Sequence, residues 1–264
     1  MTIAFIGAGN MAWHLAPALE AANYAVSAVY SRQLSHARQL VANLYDAHTH
    51  SDLNFADSPA RLFVLAVPDD ALADVCVQLV LPENALVVHT SGSVPLTDLR
   101  QLMDVYSDVP VRTGVFYALQ SFSRSQPSPD FATIPICIEA TDAGSENELV
   151  TMAESLSESV YLVNSAERRV LHLAAVLVNN FTNHLLALAQ DLTDANGTSF
   201  ELLKPLIAET MRKALHANHP ADVQTGPARR NDLRTIAAHR AFLADEPDLL
   251  RVYNVLTESI QTRE

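Results

Sequence analysis

Residues 3–12 of the chain read Ile-Ala-Phe-Ile-Gly-Ala-Gly-Asn-Met-Ala. A short apolar run that favours a β-strand is followed at once by the pattern Gly-x-Gly-x-x-Ala and then by a stretch compatible with a helix. This is the order of the first strand, phosphate-binding turn and first helix in a dinucleotide-binding fold. Gly7 permits a backbone conformation that a side chain would forbid, and Gly9 lets the main chain approach a pyrophosphate. The unpaired N–H groups at the helix start, around Asn10 and Met11, favour an anion.

Composition excludes several classes of protein. The chain has 264 residues, of which 49% are apolar and 18% charged, as in an ordinary globular protein. Its formal net charge of −13 argues against nucleic-acid binding, so an anionic cofactor would need a local positive patch. The two cysteines, Cys76 and Cys137, have no metal or disulfide spacing. We see no signal peptide and no apolar run long enough to cross a membrane, and we therefore expect a cytoplasmic location.

The pattern of apolar runs predicts a parallel sheet followed by helices. Strands and helices alternate through the first part of the chain, which is typical of an α/β domain. Predicted strands after the first are 25–30, 62–68, 85–88, 111–119, 134–140 and 160–163, and predicted helices of the later part are 167–194, 200–218, 232–243 and 248–261. We therefore predict a Rossmann-type, doubly wound, mostly parallel sheet over residues 1–164 and an all-helical domain over residues 165–264. Pro17 falls within the first helix, which we expect to be bent or interrupted.

The end of the second predicted strand indicates which dinucleotide is bound. An acidic residue at this point accepts hydrogen bonds from the adenosine ribose in NAD-selective folds, whereas this chain has Ser31 and Arg32. A hydroxyl and a guanidinium suit a 2′-phosphate, so these residues favour NADP. The alternative is that Arg32 is only a surface arginine at the start of the next helix.

Two further strand ends carry candidate binding residues. Val67 and Pro68 would form an apolar wall along the path of the cofactor, since ligands lie beyond the carboxyl ends of parallel strands. Ser91 follows the next strand, where its hydroxyl is a candidate for holding a substrate carboxylate or carbonyl. The alternative for Ser91 is a turn that caps the following helix.

The long predicted helix carries polar side chains at helical spacing. His172 and Asn179 are seven residues apart and are expected to share one face with Asn183. Hydride transfer to a carbonyl or imine needs a nearby proton donor, and His172 is the best candidate. The alternative is a structural one, in which these groups satisfy the backbone of a neighbouring domain or subunit. Histidine pairs at 48/50 and 216/219 lack further ligands, so we predict no metal site.

Several motifs together resemble a known family. The first turn is similar to that of pyrroline-5-carboxylate reductases and of deazaflavin-dependent NADP oxidoreductases. The chain more specifically resembles bacterial Rossmann-like proteins with a C-terminal domain of unknown function 2520. The segments that carry this likeness are His89-Thr90-Ser91-Gly92-Ser93, Gly114 to Phe122, Val178 to His184, and Gln224 to Asp232.

This resemblance implies an NADP-dependent oxidoreductase and a homodimer formed through the helical domain, without implying a substrate. Related hydroxyacid dehydrogenases have a lysine one turn before an asparagine pair on the equivalent helix, where this chain has Ala175 and Val176. We therefore expect hydride transfer between NADP and a small carbonyl, imine or hydroxy compound in a cleft between the domains, without a lysine as acid. One competing hypothesis is an NADP-binding sensor or scaffold without chemistry, and another is a reductase of a deazaflavin or flavin.

Overall fold

The computed structural model describes residues 1–263 and contains one eight-stranded sheet. The strands are β1 (Thr2–Ile6), β2 (Ala25–Tyr30), β3 (His48–His50), β4 (Leu62–Leu65), β5 (Leu86–His89), β6 (Arg112–Ala118), β7 (Ile136–Ala140) and β8 (Val160–Leu162). Their order across the sheet is β3-β2-β1-β4-β5-β6-β7-β8, and every neighbouring pair is parallel except β6 with β7. The predicted doubly wound, mostly parallel sheet is confirmed.

Helices cover the sheet and form the rest of the chain. They are α1 (Asn10–Ala21), α2 (Leu34–Val41), α3 (Leu72–Gln78), α4 (Leu96–Tyr106), α5 (Ala143–Glu154), α6 (Ser165–Ala175), α7 (Thr182–Ala195), α8 (Lys204–His216), α9 (Leu233–Phe242) and α10 (Pro247–Gln261). Helix α1 continues through Pro17, so the expected interruption is absent. The strands of the sheet centre are fully buried on both faces, as their continuous apolar runs indicate.

A π-helical segment, Val176–Phe181, joins α6 to α7, so that residues 165–195 form one continuous helix. The helix starts at a capping box, in which Asn164 accepts from the backbone of Glu167 and the Glu167 carboxylate accepts from the backbone of Asn164. The wider π turn changes the angle between successive side chains, and so alters the shared face that α-helical spacing predicts for His172 and Asn179.

The chain divides into two compact units, Met1–Asn179 and Asn180–Glu264. The predicted boundary between residues 164 and 165 coincides with the start of the long helix, whereas this division falls inside it. By length and composition, this one helix among the described residues could cross a membrane, with a mean hydropathy of 1.2 over 18 residues. The sequence analysis expected no such stretch, because polar residues such as His172, Asn179 and His184 interrupt the apolar run.

Strand β3 was missed by the sequence analysis, which predicted no strand at His48 to His50. It pairs only with β2, at the edge of the sheet. Its sequence His-Thr-His has no apolar residue, so its place in the sheet depends on backbone pairing rather than on burial. The His50 ring stacks on Phe55, with the ring centres 4.2 Å apart.

Gly7 lies where three strand ends converge, with φ of +105°. Its N–H donates to the Tyr30 carbonyl at 2.8 Å, and a Cβ atom at this position would lie 2.2 Å from the Ala66 carbonyl oxygen. We predict that Gly7→Ala lowers the free energy of unfolding by about 1–3 kcal/mol, because the side chain would combine a steric collision with left-handed backbone strain. Urea denaturation measures this loss.

Gly9→Ala is the matched control for stability. Gly9 has φ of −80°, and a Cβ atom there would lie 3.9 Å from the same carbonyl oxygen, which is an ordinary contact. We expect a change of no more than about 0.5 kcal/mol. Equal losses in the two variants would contradict the assignment of the steric constraint to Gly7.

Candidate nucleotide site and neighbouring polar residues

A cavity of ≈ 390 Å³ lies at the carboxyl ends of β1, β2 and β4. Strands β1 and β4 are neighbours from which the chain winds in opposite directions, which is where doubly wound sheets bind nucleotides. The residues that line it are Gly7, Ala8, Gly9, Tyr30, Ser31, Arg32, Gln33, His36, Leu53, Ala66, Val67, Pro68, Ala71, Asp74, Val75 and Gln78. Six of the eight predicted cofactor-binding residues therefore line one cavity, and the other two, Asn10 and Met11, start the adjoining helix α1.

The start of α1 is suited to a phosphate group. Its N-cap residue is Gly9, no side chain caps it, and its first turn has no acidic residue. Its first amide groups are therefore open to a ligand, and the helix dipole favours an anion there. Asn10 is exposed and Met11 is half-buried.

The rim of the cavity carries groups whose chemistry suits a 2′-phosphate. Ser31 is half-buried, Arg32 is exposed, and Arg32 has no ion-pair partner within residues 1–263. His36 lines the same cavity from the first turn of α2 and was missed by the sequence analysis. Its only signal was its position just inside the helix that follows Arg32. A hydroxyl, a guanidinium and an imidazole fit a phosphate monoester on the ribose.

The loop after β5 is held by its own side chains. The Ser91 hydroxyl accepts from the backbone N–H groups of Ser93 and Val94, both at 3.0 Å. His89 Nδ1 accepts from the Ser91 N–H at 3.2 Å. This geometry favours the turn-forming alternative for Ser91 over the predicted contact with substrate.

His89 is buried and uncharged. Its side chain is 1% exposed, and its Nε2 atom has no hydrogen-bond partner among the described residues. Burial, with a smaller contribution from the Arg168 guanidinium, lowers the pKa of His89 from 6.5 to about 3, and Asp69 opposes this shift weakly. The imidazole therefore stays neutral near pH 7 and donates from Nε2 if a ligand presents an acceptor.

His172 contacts two elements of the sheet domain. Its Nδ1 lies 3.2 Å from the Tyr117 hydroxyl, and the ring packs against Gly92, where a Cβ atom would lie 2.5 Å from Nδ1. Burial is the main cause that raises the pKa of Tyr117 above 10, so this phenol is protonated at neutral pH. Sequence analysis missed Tyr117, although it is the penultimate residue of the apolar strand β6 and places a polar group near the strand end.

A buried ion pair fixes the helix that carries His172. The Arg168 side chain is 1% exposed, pairs with the Glu139 carboxylate and donates to the Val94 carbonyl at 2.6 Å. Ser165 donates to the same carboxylate at 2.7 Å and accepts from the backbone N–H of Leu96 at 2.9 Å. These bonds tie α6 to β7 and to the loop after β5, one turn before His172. The third predicted catalytic residue, Asn179, is exposed in the π-helical segment.

Within residues 1–263, no group of three or more His, Cys, Asp or Glu side chains is arranged to hold a metal ion.

The remaining polar candidates have other structural roles. Asp232 caps α9 by accepting from the backbone and hydroxyl of Thr235, at 3.0 and 2.8 Å. Those two hydrogen bonds are the main cause that lowers the pKa of Asp232. Arg229 instead lines a second cavity of ≈ 450 Å³ in the helical unit.

Comparison with known proteins identifies the family. Residues 2–92 match the model of coenzyme F420-dependent NADP oxidoreductases, and residues 134–260 match domain of unknown function 2520. A protein from Bacteroides fragilis assigned as an NADP oxidoreductase is 39% identical, with 99% of this chain and 98% of that chain covered and a TM-score of 0.89. The chain belongs to this family of NADP oxidoreductases. The predicted class of enzyme and its cofactor, NADP, are thereby confirmed at the level of the family.

More distant structures share the fold of this oxidoreductase. The reductive aminase of Aspergillus terreus in complex with NADPH and ethyl-5-oxohexanoate is 15% identical, with 98% and 92% of the two chains covered and a TM-score of 0.69. The pyrroline-5-carboxylate reductase of Coxiella burnetii is 16% identical, with 99% and 98% covered and a TM-score of 0.56. None of the curated proteins compared with the chain matches it.

Arg32→Ala tests the role of the cavity rim in this oxidoreductase. We predict that the dissociation constant for NADPH rises about 10- to 100-fold, since a charge-assisted hydrogen bond contributes roughly 1.5–3 kcal/mol. Binding of NADH should be unchanged, because it has no 2′-phosphate. Isothermal titration calorimetry with both ligands measures the two constants.

Arg38→Ala is the matched control, since Arg38 is exposed on α2 but does not line the cavity. An equal loss of NADPH and NADH binding in the Arg32 variant would remove Arg32 from 2′-phosphate recognition.

Proposed function

We propose that this oxidoreductase reduces a small carbonyl or imine compound, or oxidises the corresponding hydroxy compound or amine, with His172 as the proton donor or acceptor. The observation that carries the proposal is the His172–Tyr117 pair beside Gly92 in the loop after β5, in the same unit as the candidate nucleotide cavity. Bound NADPH supplies the hydride. No lysine lies at the expected position on the long helix, but the imidazole of His172 is a side chain that can donate or accept a proton.

The chemistry of His172 follows from its two ring nitrogens. In the imidazolium form, Nδ1–H donates to the Tyr117 oxygen, because that phenol remains protonated and its oxygen accepts. Nε2 has no partner among residues 1–263, so its proton is available to a carbonyl oxygen or imine nitrogen. Transfer of that proton leaves a neutral imidazole whose Nδ1–H is still held by Tyr117. Tyr117 thus orients the ring and fixes which nitrogen exchanges the proton.

In the reduction, the substrate carbon accepts one hydride and the oxygen or nitrogen accepts one proton from His172. The products are an alcohol or amine and NADP⁺, and solvent restores the imidazolium. The contact with Gly92 supports the proposal, since only a residue without a side chain lets the imidazole approach the loop so closely.

His172→Gln tests this role. We predict that kcat for NADPH oxidation falls by about 10²- to 10⁴-fold, the usual contribution of a general acid, while NADPH affinity is kept. Tyr117→Phe should reduce kcat less, because Tyr117 acts through His172. Stopped-flow absorbance with aldehydes, keto acids and cyclic imines measures both rates.

His216→Gln is the control, since His216 is an exposed histidine that bonds only to the backbone of its own helix. Unchanged turnover in the His172 variant would overturn its role. Tight NADPH binding without turnover of any compound class would favour the alternative of a cofactor-binding sensor.

We also propose that the long helix pairs with a second copy of the chain. Its large apolar side chains Val170, Leu173, Val178 and Phe181 are 68%, 63%, 73% and 54% exposed. Apolar exposure on this scale is unusual for an isolated globular protein and marks an interaction surface. Polar Asn179 among these side chains would be costly in lipid but acceptable in a protein interface, which favours a homodimer over a membrane.

Sedimentation in buffer without detergent should therefore give twice the mass of one chain. We predict that Val178→Glu combined with Phe181→Asp gives a monomer, because two buried carboxylates would destabilise the interface by several kcal/mol. Tyr45→Asp, a change at a 97% exposed aromatic residue of the sheet domain, is the control. A monomeric parent, or aggregation that only detergent reverses, would contradict the dimer.

A further inference from the structure

Residues 119–130, between β6 and β7, form a polar segment that packs on helix α1. The Phe122 ring stacks on the buried His14, with ring centres 5.6 Å apart, and on Phe131 at 5.9 Å. His14 Nε2 donates to the Ser123 carbonyl at 2.9 Å. These contacts hold the backbone on both sides of Arg124.

The Arg124 side chain lies beside the glycine turn. Its guanidinium carbon is 4.9 Å from the centre of the Trp13 ring, its Nη2 donates to the Ala8 carbonyl, and its backbone N–H donates to Asn10 Oδ1 at 3.4 Å. Its Nε atom is buried and has no partner among the described residues. The guanidinium is thus placed against the start of α1 by an indole face and a backbone carbonyl, both of which are uncharged.

The charge of Arg124 is not balanced by the protein. Within residues 1–263, no carboxylate forms an ion pair with it, although the chain carries a net charge of −13. Two other arginines are also withdrawn from solvent, and both have an ion-pair partner. Arg112 on β6 pairs with Glu148, and Arg168 on α6 pairs with Glu139. A half-buried, unpaired guanidinium is unfavourable, and the positive end of the α1 dipole beside it adds to the cost. A bound anion would remove both penalties.

We propose that Arg124 is a pyrophosphate ligand of the nicotinamide dinucleotide. Its guanidinium contacts the diphosphate at the start of α1, and segment 119–130 forms a preorganised wall of that subsite. Planar guanidinium donors match phosphate oxygens, and the fixed position of the side chain reduces the entropy lost on binding. The inference rests on dinucleotide binding at the glycine turn, and it is independent of the proton donor proposed above.

In this proposal Arg124 binds the pyrophosphate and Arg32 binds the 2′-phosphate. The two roles can be distinguished by measuring the binding of both NADPH and NADH, because only NADPH has the 2′-phosphate. Arg124→Gln keeps a donor for the Ala8 carbonyl but removes the charge. We expect the dissociation constants for NADPH and NADH to rise by the same factor, about 10- to 100-fold, because both ligands contain the pyrophosphate. Arg32→Ala should weaken NADPH alone. Arg124→Lys should recover part of the affinity for both, since it restores charge without the planar fork.

A stability measurement distinguishes a ligand contact from a structural role. Without ligand, Arg124→Gln should unfold at the same temperature as the parent or higher, because an unpaired cation has been removed. Its stabilisation by saturating NADPH should be smaller. The proposal is overturned if Arg124→Gln binds NADPH within twofold of the parent, if it alters the NADPH to NADH ratio as Arg32→Ala does, or if the ligand-free protein is destabilised by the change.

The same titrations separate failure of this inference from failure of the proposed function. Normal NADPH binding by Arg124→Gln would leave the His172 chemistry untouched. Conversely, if NADPH binding depends on Arg124 but no substrate is turned over, the result would support the pyrophosphate subsite and contradict the proposed reaction.

Discussion

The tight approach of three strand ends at Gly7 is the constraint on which the rest of the structure depends. The Gly7 N–H is bonded to the Tyr30 carbonyl, while the Ala66 carbonyl leaves no room for a side chain. The residues that follow β2 and β4 are thereby brought to the two sides of the same turn. The nucleotide cavity is a direct consequence, since its hydroxyl and guanidinium rim comes from one of these strand ends and its apolar wall from the other.

Sequence reasoning succeeded where the signal was local. Buried parallel strands appear as apolar runs, and residues such as Arg32 and Val67 were found because they directly follow such runs. Strand β3 was missed because an edge strand made of polar residues depends on backbone hydrogen bonds, which have no residue signature. The π-helical turn was also missed, since a change from four to five residues in the hydrogen-bonding ladder does not alter the composition of the helix.

Residues from distant parts of the chain were harder to place. Tyr117 and His172 are 55 positions apart, and Arg124 and Ala8 are 116 apart. Their proximity depends on the order of strands in the sheet and on the path of a loop, and periodicity encodes neither. Arg168 shows the same limit, because it has the sequence context of an exposed helical arginine. Its burial becomes intelligible only when Glu139, on the one strand that runs against its neighbour β6, is seen opposite it.

The reversed direction of β7 has a consequence for the carboxyl-terminal end of the parallel strands, where the candidate nucleotide cavity lies. If β7 were parallel to β6, the chain would have to return to the amino-terminal end of the strands before β7, as it does after β1, β4 and β5. The antiparallel pair instead lets the connection turn back where β6 ends, so that residues 119–130 remain beside the glycine turn. This connection bears no strand or crossover helix, but its aromatic residues Phe122 and Phe131 pack against the buried core. The topology thus couples the proposed Arg124 subsite to the packing of the sheet domain, so a substitution at Phe122 or Phe131 would be felt at the start of α1.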